Sequence, residues 1–256
     1  TKGHLWDVCY INDNCIWAVG QIEHKGENYN ACRWDGNEWK LEKVYDLIPD
    51  SNTEPDVHQL YTVYGTDPDY IWFCGGTYFI LWNGKEYITD HSLIIPLLSA
   101  HGTLRESWGN APNNIYMGGT NGEIVHYDGH RWKRLENDIE QDITAIHGNG
   151  DTVLVAATGP GDAGPTAFYT IVGEKVEFFA QDSLVHGVHA LWFSHLDDIY
   201  AEGDGSSHFN GHEWLKFRSK MGGLGNDMAA NSRWDILVAG AVSTIRHYNN
   251  EDWKQW

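Results

Sequence analysis

Ile115–Trp132, with the sequence IYMGGTNGEIVHYDGHRW, decides the fold. It contains an apolar strand (Ile115–Met117), a pair of glycines, a second strand of alternating character (Glu123–Asp128) and an Asp-Gly turn that leads to Trp132. Alternating apolar residues bounded by glycine-containing turns are typical of short antiparallel strands. Variants of this stretch recur along the whole chain, so it predicts the architecture of all 256 residues.

The turn before the aromatic residue recurs with a period of about 43 residues. Its copies are Asp35–Trp39, Asn83–Tyr87, Asp128–Trp132, the degenerate Val172–Val176, Asn210–Trp214 and Asn249–Trp253. The apolar strand recurs in phase with the turn, as Ile16–Gly20, Ile71–Gly75, Ile115–Gly119, Val153–Ala157, Ile199–Gly203 and Ile236–Gly240. The two series agree on six repeats.

Each repeat supplies four short strands, named A to D in chain order, and helix signals are almost absent. One such sheet cannot bury both of its faces, whereas sheets stacked radially bury each face against a neighbour. We therefore predict an all-β fold, a six-bladed β-propeller with four antiparallel strands per blade, as a single domain over residues 1–256. The expected blades are approximately 5–49, 56–100, 102–141, 142–184, 185–224 and 225–256, closed without a strand exchanged between the termini.

The repeats resemble bacterial β-propeller repeats with a YAVG…HYDGxxW consensus, over Leu5–Trp256. The turn is similar to the Asp-box of sialidase-like and assembly-factor propellers. The Ser or Thr that normally precedes the Asp-box aspartate is replaced by Arg33, His126 and His208, so membership of the sialidase family is not implied. The resemblance implies a fold shared by lectins, hydrolases, lyases and scaffolds, and no single activity.

The chain is strongly acidic, because 17 Lys and Arg residues face 36 Asp and Glu residues, for a formal charge of −19. Such a surface repels phosphate groups, so we expect no nucleic-acid partner. No apolar run approaches the length of about 18 residues that spans a membrane, and we expect no membrane insertion. The sequence opens at Thr1 with no recognisable leader; localisation is unknown, with the periplasm or exterior favoured if a signal peptide was removed. We expect a monomer.

The long connections indicate which side of the propeller binds a ligand. The B–C segments Gln21–Asn30 and Thr158–Ala167 and the D–A segments Tyr45–Val57 and Thr89–Gly102 are elongated, whereas the A–B and C–D turns are nearly constant in length. B–C and D–A connections share one face of a propeller, and recognition is concentrated on loops that a rigid scaffold positions. We expect the functional site on this long-loop face.

The blades differ most where strand A begins, at the same face. Nine residues before the Ile or Val of strand B, the blades have Asp7, Thr62, Glu106, Thr144, Ala190 and Asp227. One residue earlier they have Trp6, Tyr61, Arg105, Ile143, His189 and Asn226. We predict that the ligand-binding residues are Trp6, Asp7, Tyr61, Arg105, Glu106, His189, Asn226 and Asp227.

Several chemistries suit this cluster. It can bind a sugar by hydrogen bonds and stacking, bind a protein, hold a divalent cation through its carboxylates, or only line a wet channel. If the protein is an enzyme, we expect Glu106, Asp227 and His189 to be catalytic, as in acid–base cleavage of a glycosidic bond. The leading hypothesis is a noncatalytic propeller that recognises a glycan or protein at the long-loop face; the alternative is a carbohydrate-active hydrolase or lyase. No cofactor is predicted, and a divalent cation stays open.

Tryptophan and cysteine give weaker signals. Most of the 13 Trp residues occupy repeat positions, which predicts core packing between blades; Trp6, Trp234 and Trp256 do not. Cys9 and Cys15 flank one predicted hairpin turn, so either a cross-strand disulfide or free thiols are open. No Cys or His spacing is typical of zinc.

Overall fold

The computed structural model describes residues 2–45, 57–89, 102–159, 163–216, 225–240, 244–249, 251 and 253–255. The chain divides into two units, Thr1–Arg134 and Leu135–Trp256, which are described one at a time. Outside the described residues lie most of both predicted long D–A segments and Trp256. No helix among the described residues has the length and apolar character needed to span a membrane.

Unit 1 contains three four-stranded antiparallel sheets in chain order. Blade 1 consists of β1 (Lys2–Asn12), β2 (Cys15–His24), β3 (Glu27–Trp34) and β4 (Trp39–Glu42). Blade 2 consists of β5 (Thr62–Asp67), β6 (Tyr70–Cys74), β7 (Phe79–Trp82) and β8 (Tyr87–Thr89). Blade 3 consists of β9 (Leu104–Ala111), β10 (Asn114–Gly119), β11 (Ile124–Tyr127) and β12 (Trp132–Arg134).

Unit 2 contains three further sheets of the same kind. Blade 4 consists of β13 (Asp142–Asn149), β14 (Thr152–Gly159), β15 (Ala163–Val172) and β16 (Lys175–His186). Blade 5 consists of β17 (Ala190–His195), β18 (Asp198–Gly203), β19 (Gly205–Phe209) and β20 (Trp214–Lys216). Blade 6 consists of β21 (Gly225–Ser232), β22 (Asp235–Gly240), β23 (Thr244–Tyr248) and β24 (Trp253–Gln255).

The prediction of a six-bladed β-propeller is confirmed. Every sheet is built from one continuous stretch of chain, and each strand pairs with the next in sequence. Lys2 lies opposite Glu23 within blade 1, so the first residues do not form the outer strand of blade 6.

A side-chain oxygen holds the C–D turn in the same way in successive blades. In blade 5 the Asn210 Oδ1 accepts hydrogen bonds from the backbone amides of His212 and Glu213, both at 3.0 Å. The Asp128 Oδ1 accepts the equivalent pair in blade 3, and Asp35 and Asn83 do so in blades 1 and 2. The hydrogen bonds from the amides of Arg131 and His130 lower the pKa of Asp128, and the bond from Arg131 has the larger effect. An Asp or Asn side chain therefore holds the turn in these four blades whatever residue precedes it.

The aromatic residue after this turn packs against the preceding blade. Trp132 of blade 3 stacks on Phe79 of blade 2, with ring centroids 4.7 Å apart and planes 10° apart. Trp214 of blade 5 stacks on Phe168 of blade 4 at 4.6 Å. Both indoles are buried, as predicted from their repeat position. Trp39 of blade 1 differs, because 51% of its surface is exposed.

Blade 1 corrects the prediction of a long B–C loop at Gln21–Asn30. Strands β2 and β3 continue through this segment and are joined at Lys25 and Gly26, which have positive φ angles of 52° and 83°. Positive φ at both central residues matches a tight hairpin turn. The predicted loop Thr158–Ala167 likewise contains the ends of β14 and β15, which pair at Gly159 and Ala163. The extra length at this end is therefore regular sheet in the described residues of both segments.

All four cysteines are free thiols. Cys9 lies opposite Trp17 and Cys15 opposite Asn12, so the two sulfur atoms do not face each other across the hairpin. Burial raises the pKa of the Cys9 thiol to about 11, although its Sγ donates a hydrogen bond to the carbonyl oxygen of Gly65. These thiols therefore stay protonated and unreactive at neutral pH.

The C–D turn gives a direct stability test. Replacing Asn210 with Ala removes the acceptor of two amide hydrogen bonds, and we expect a loss of about 1 kcal/mol in the free energy of unfolding, measured in urea. Asn210→Asp keeps the acceptor and should unfold near the wild-type midpoint. Asn113→Ala, in an exposed A–B turn, is the matched control and should have little effect. Equal losses in Asn210→Ala and Asn113→Ala would contradict the assigned role.

Candidate functional site

The predicted site residues lie at one recurring irregularity, a β-bulge at the beginning of strand A. In blade 1 the pairing steps from Leu5 opposite Gly20 to Asp7 opposite Val19, which leaves Trp6 as the extra residue. Arg105 and Asn226 are the extra residues in blades 3 and 6. Blade 2 shows the same feature, because the amide of Tyr61 donates to the carbonyl oxygen of Cys74, the residue that lies opposite Thr62. In blade 5 the amide of His189 donates to the carbonyl oxygen of Glu202, which lies opposite Ala190. A bulge re-aims the side chain it carries.

Blade 4 departs from the alignment predicted from the sequence. Its bulge residue is Thr144, and Ala145, opposite Ala156, occupies the position assigned to Thr144. The other blades have a second register shift next to the A–B turn, whereas β13 and β14 pair continuously from Gly148 to Asn149 there. The stretch between the bulge and strand B is therefore one residue shorter in blade 4. Counting nine residues back from strand B reaches the bulge residue Thr144 instead of Ala145, the residue after it.

Asp7 joins blade 1 to blade 2. Its Oδ2 accepts hydrogen bonds from Thr62 Oγ1 at 2.6 Å and from the Val63 amide at 2.9 Å, and its Oδ1 accepts the Val8 amide at 2.7 Å. Thr62 Oγ1 lies 2.5 Å from Ser107 Oγ of blade 3. One chain of polar contacts thus crosses the first strands of three blades. Asp7, predicted to bind ligand, has its oxygens engaged in holding these strands together.

Burial raises the pKa of the Asp7 carboxyl above its usual value of 3.8, and the hydrogen bonds from Thr62, Val63 and Val8 act against this rise. The fold thus favours the neutral acid. The raised pKa follows from the packing of strands and needs no catalytic role.

Two pairs of side chains lie at or beside the bulges of unit 1, His4 with Trp6 and Tyr61 with Arg105, and we refer to the four residues together as the β1-end cluster. The Arg105 guanidinium lies over the Tyr61 ring, 5.5 Å from its centroid. His4 stacks on Trp6 with centroids 5.8 Å apart. Trp6 is 55% exposed although a tryptophan normally buries most of its surface. Trp6, Tyr61 and Arg105 were predicted from the sequence, and His4 was missed.

The first strand also extends beyond its bulge. Lys2–Leu5 pairs on one side with Gly20–Glu23 of β2, and β1 is an edge strand of its sheet. The close approach requires glycine, because a Cβ on Gly20 would collide with the carbonyl oxygen of His4. All side chains from Lys2 to Trp6 are exposed. The signal for this extension was the alternation Gln21-Ile22-Glu23 followed by the Lys25-Gly26 turn, which was interpreted as a loop.

In unit 2 the predicted residues occupy the corresponding bulges. Asn226 and Asp227 are exposed, and the Asp227 Oδ1 accepts the amide of Met228 at 2.7 Å, as Asp7 accepts that of Val8. His189 is half-buried. Of the three residues proposed for catalysis, Glu106 belongs to unit 1, and His189 and Asp227 belong to unit 2.

A buried ion pair next to the blade 5 bulge was not predicted. Glu202 Oε2 lies 2.9 Å from Arg246 Nη2, and both side chains are almost fully buried. Burial raises the pKa of Glu202, while Ser206 and Arg246 oppose the rise. The sequence contained a signal for this pair, because Glu202 is charged at a strand B position that is uncharged in the other blades. The equivalent residues are Val19, Cys74, Gly118, Ala156 and Ala239. A carboxylate in that series requires a buried partner.

The described residues contain no group of three or more His, Cys, Asp and Glu side chains arranged to hold a metal ion. Histidines at the strand C repeat position have structural partners instead: His126 lies 2.8 Å from Asn114 Oδ1, and His247 lies 2.7 Å from Asp235 Oδ1.

Comparison with known proteins supports the fold. Neither a protein-family model nor a curated protein matches the sequence. Among solved structures, one described as YCF48 bound to D1 peptide is similar over 100% of this chain and 82% of its own, with 15% identity and a TM-score of 0.68. YCF48 from Cyanidioschyzon merolae is similar over 100% of this chain and 85% of its own, with 16% identity and a TM-score of 0.66. The WD40 repeats of RRP9 are similar over 100% of this chain and 81% of their own, with 10% identity and a TM-score of 0.65. At these identities the likeness establishes the propeller fold alone.

The polar chain across blades 1 to 3 can be tested at its centre. Thr62→Val keeps the shape of the side chain but removes the hydroxyl between Asp7 and Ser107, so that both residues lose a hydrogen-bond partner. We expect a loss of about 1–3 kcal/mol in the free energy of unfolding in urea. Thr170→Val, at a half-buried strand position, is the control and should change stability much less. Equal effects would show that the contact contributes nothing specific.

The raised pKa of Asp7 predicts a pH dependence. Because the folded state binds this proton more tightly than the unfolded state, its contribution to stability is present below the unfolded pKa and is lost as pH rises through the folded pKa. The wild type should therefore gain stability relative to Asp7→Asn when the pH is lowered from about 7 to about 3. Urea unfolding of both proteins at these two pH values measures the difference in their free energies of unfolding. A difference that grows in favour of the wild type as pH rises would contradict the assigned direction.

Proposed function

We propose that this protein is a noncatalytic binding propeller that recognises an extended polypeptide of a partner protein at the β1-end cluster. The observation that carries the proposal is the edge of β1 from Lys2 to Leu5, an exposed segment of strand that pairs on only one side in its sheet. It lies at the end of the blade at which strand A begins, where the long connections predicted a binding face.

A polypeptide is the ligand that complements such an edge. An edge strand presents backbone N–H and C=O groups, and an extended peptide satisfies them by adding as a further strand. The exposed ring of Trp6 and the Arg105–Tyr61 pair then provide side-chain contacts, and Trp, Tyr and Arg are the residues most enriched among the energetically dominant positions of protein interfaces. The structure described as YCF48 bound to D1 peptide supports the proposal by fold analogy.

A binding role also accounts for the chemistry of the predicted residues. The carboxylate oxygens of Asp7 accept hydrogen bonds from three donors of the protein itself. The hydrolase or lyase alternative requires an acid and a base on either side of one bond, from among Glu106, Asp227 and His189. Glu106→Gln tests that alternative: it should abolish turnover of a glycan substrate in an enzyme, while a binder should keep its affinity within a few-fold.

We expect peptides selected from a displayed random library to bind the wild-type protein and to lose about 10- to 30-fold in affinity on Trp6→Ala or Arg105→Ala, because truncating a hot-spot aromatic or Arg costs about 1.4–2 kcal/mol. Isothermal titration measures the affinities. Trp39→Ala is the matched control, since its indole is exposed to a similar extent, and it should bind like the wild type.

The selected peptides also test the mode of binding. Backbone N-methylation at alternate positions should weaken a peptide that pairs with β1, because it removes the amide donors while leaving the side chains in place. Failure to select any peptide, or selected peptides that bind Trp6→Ala and Trp39→Ala equally well, would overturn the proposal.

A further inference from the structure

Unit 2 contains a cleft that no predicted site residue lines. It lies between the A–B turns of blades 5 and 6, at the opposite ends of the blades from the bulges that begin strand A. Its volume of about 600 Å³ falls within the range of small-molecule sites. Its walls include Trp192, His195 and Asp197 of blade 5 and Arg233 and Trp234 of blade 6.

The floor of the cleft is held by hydrogen bonds. Asp198 is buried, with its Oδ2 accepting from Ser194 Oγ at 2.9 Å and its Oδ1 lying 2.7 Å from His208 Nε2. The Tyr200 hydroxyl of blade 5 donates to the carbonyl oxygen of Arg233 at 3.4 Å, which links the two blades. A floor fixed in this way lowers the entropic cost of binding a ligand.

An exposed aromatic platform stands at the rim. Trp234 is 45% exposed at the tip of the blade 6 turn, and the Arg233 guanidinium lies 4.2 Å from the centre of its ring. This cation–π contact favours one orientation of the indole. Trp234 also lies outside the repeat positions that place other tryptophans between blades, so the fold does not require an indole here.

The polar groups around the platform suit a neutral ligand with many hydroxyls. His195, Asp197 and Asn231 are exposed around the cleft, and its lining sets one guanidinium, that of Arg233, against the carboxylates of Asp197 and Asp198, so it does not attract an anion. Carboxylate, amide and guanidinium groups present paired donors or acceptors that match neighbouring hydroxyls. A sugar ring combines such hydroxyls with an apolar C–H face that packs on an indole.

We propose that the cleft between the A–B turns of blades 5 and 6 is a binding site for a neutral glycan, with Trp234 as the stacking platform. Arg233 positions the indole, and His195, Asp197 and Asn231 bind hydroxyl groups. The site is separate from the β1-end cluster and does not depend on the polypeptide ligand proposed for that cluster.

The probe is a microarray of neutral mono- and oligosaccharides, followed by titration calorimetry with each glycan that binds. We expect wild-type binding to fall by at least about tenfold in Trp234→Ala, and less in Trp234→Phe, which keeps an aromatic face. Arg233→Ala should also weaken binding. Because Trp234 lies on an exposed turn, thermal melting of these variants should stay close to wild type, which separates loss of binding from loss of folding.

Two controls locate the site. Trp39→Ala removes a comparably exposed indole from another turn, and Trp6→Ala removes the indole of the β1-end cluster; both should keep wild-type glycan affinity. Absence of binding to any neutral glycan on the array would overturn the proposal, and so would binding that survives Trp234→Ala. Loss of glycan binding in Trp6→Ala but not in Trp234→Ala would also overturn it and assign the glycan to the β1-end cluster.

Discussion

Stacking of an aromatic ring on the preceding blade is the contact on which the rest of this structure depends. A four-stranded sheet with two apolar faces is stable only when both faces are covered, and Trp132 on Phe79 and Trp214 on Phe168 provide that cover between successive blades. Each tryptophan opens strand D directly after a C–D turn. The Asp or Asn that holds the turn therefore also sets the position of the ring, which explains why these two features recur together in the sequence.

The bulge at the start of strand A separates recognition from this packing. Beyond the bulge, the strand follows the blade register, and its side chains must fit the neighbouring blade. At the bulge, one residue is released from the register, so its identity can vary without disturbing the core. This accounts for the contrast between the uniform strand B and the sequence Trp6, Tyr61, Arg105, Thr144, His189 and Asn226 at the bulges.

Periodicity predicted the architecture well because each repeat follows the same rule of turn, strand and ring. The sequence was less informative where a local change left the period intact. Loss of the bulge beside the A–B turn of blade 4 shifts a count by one residue but changes no hydrophobic pattern. The extension of β2 and β3 was missed because alternation over so few residues resembles a polar loop.

The sequence placed the predicted site residues near the beginning of strand A, but it could not give the contacts that they make. Asp7 lies near the beginning of strand A, as predicted. The sequence gave no indication that its carboxylate would accept hydrogen bonds from Thr62 and Val63, since those residues belong to another blade. Trp234 was recognised as lying outside the repeat, but only the packing of blades 5 and 6 reveals the cleft beside it. Contacts between blades are set by the register of two sheets, which one linear pattern does not encode.

We propose that the exposed edge of β1 receives a polypeptide strand. Residue-resolved hydrogen exchange, with and without a selected peptide, tests it most directly, because a new backbone partner slows exchange of the amides it engages. Peptide binding at this edge should slow exchange within Lys2–Trp6, with Tyr61 and Arg105 also affected and the A–B turns of blades 5 and 6 unchanged. Protection confined to other strands, with Lys2–Trp6 exchanging as in the free protein, would contradict it.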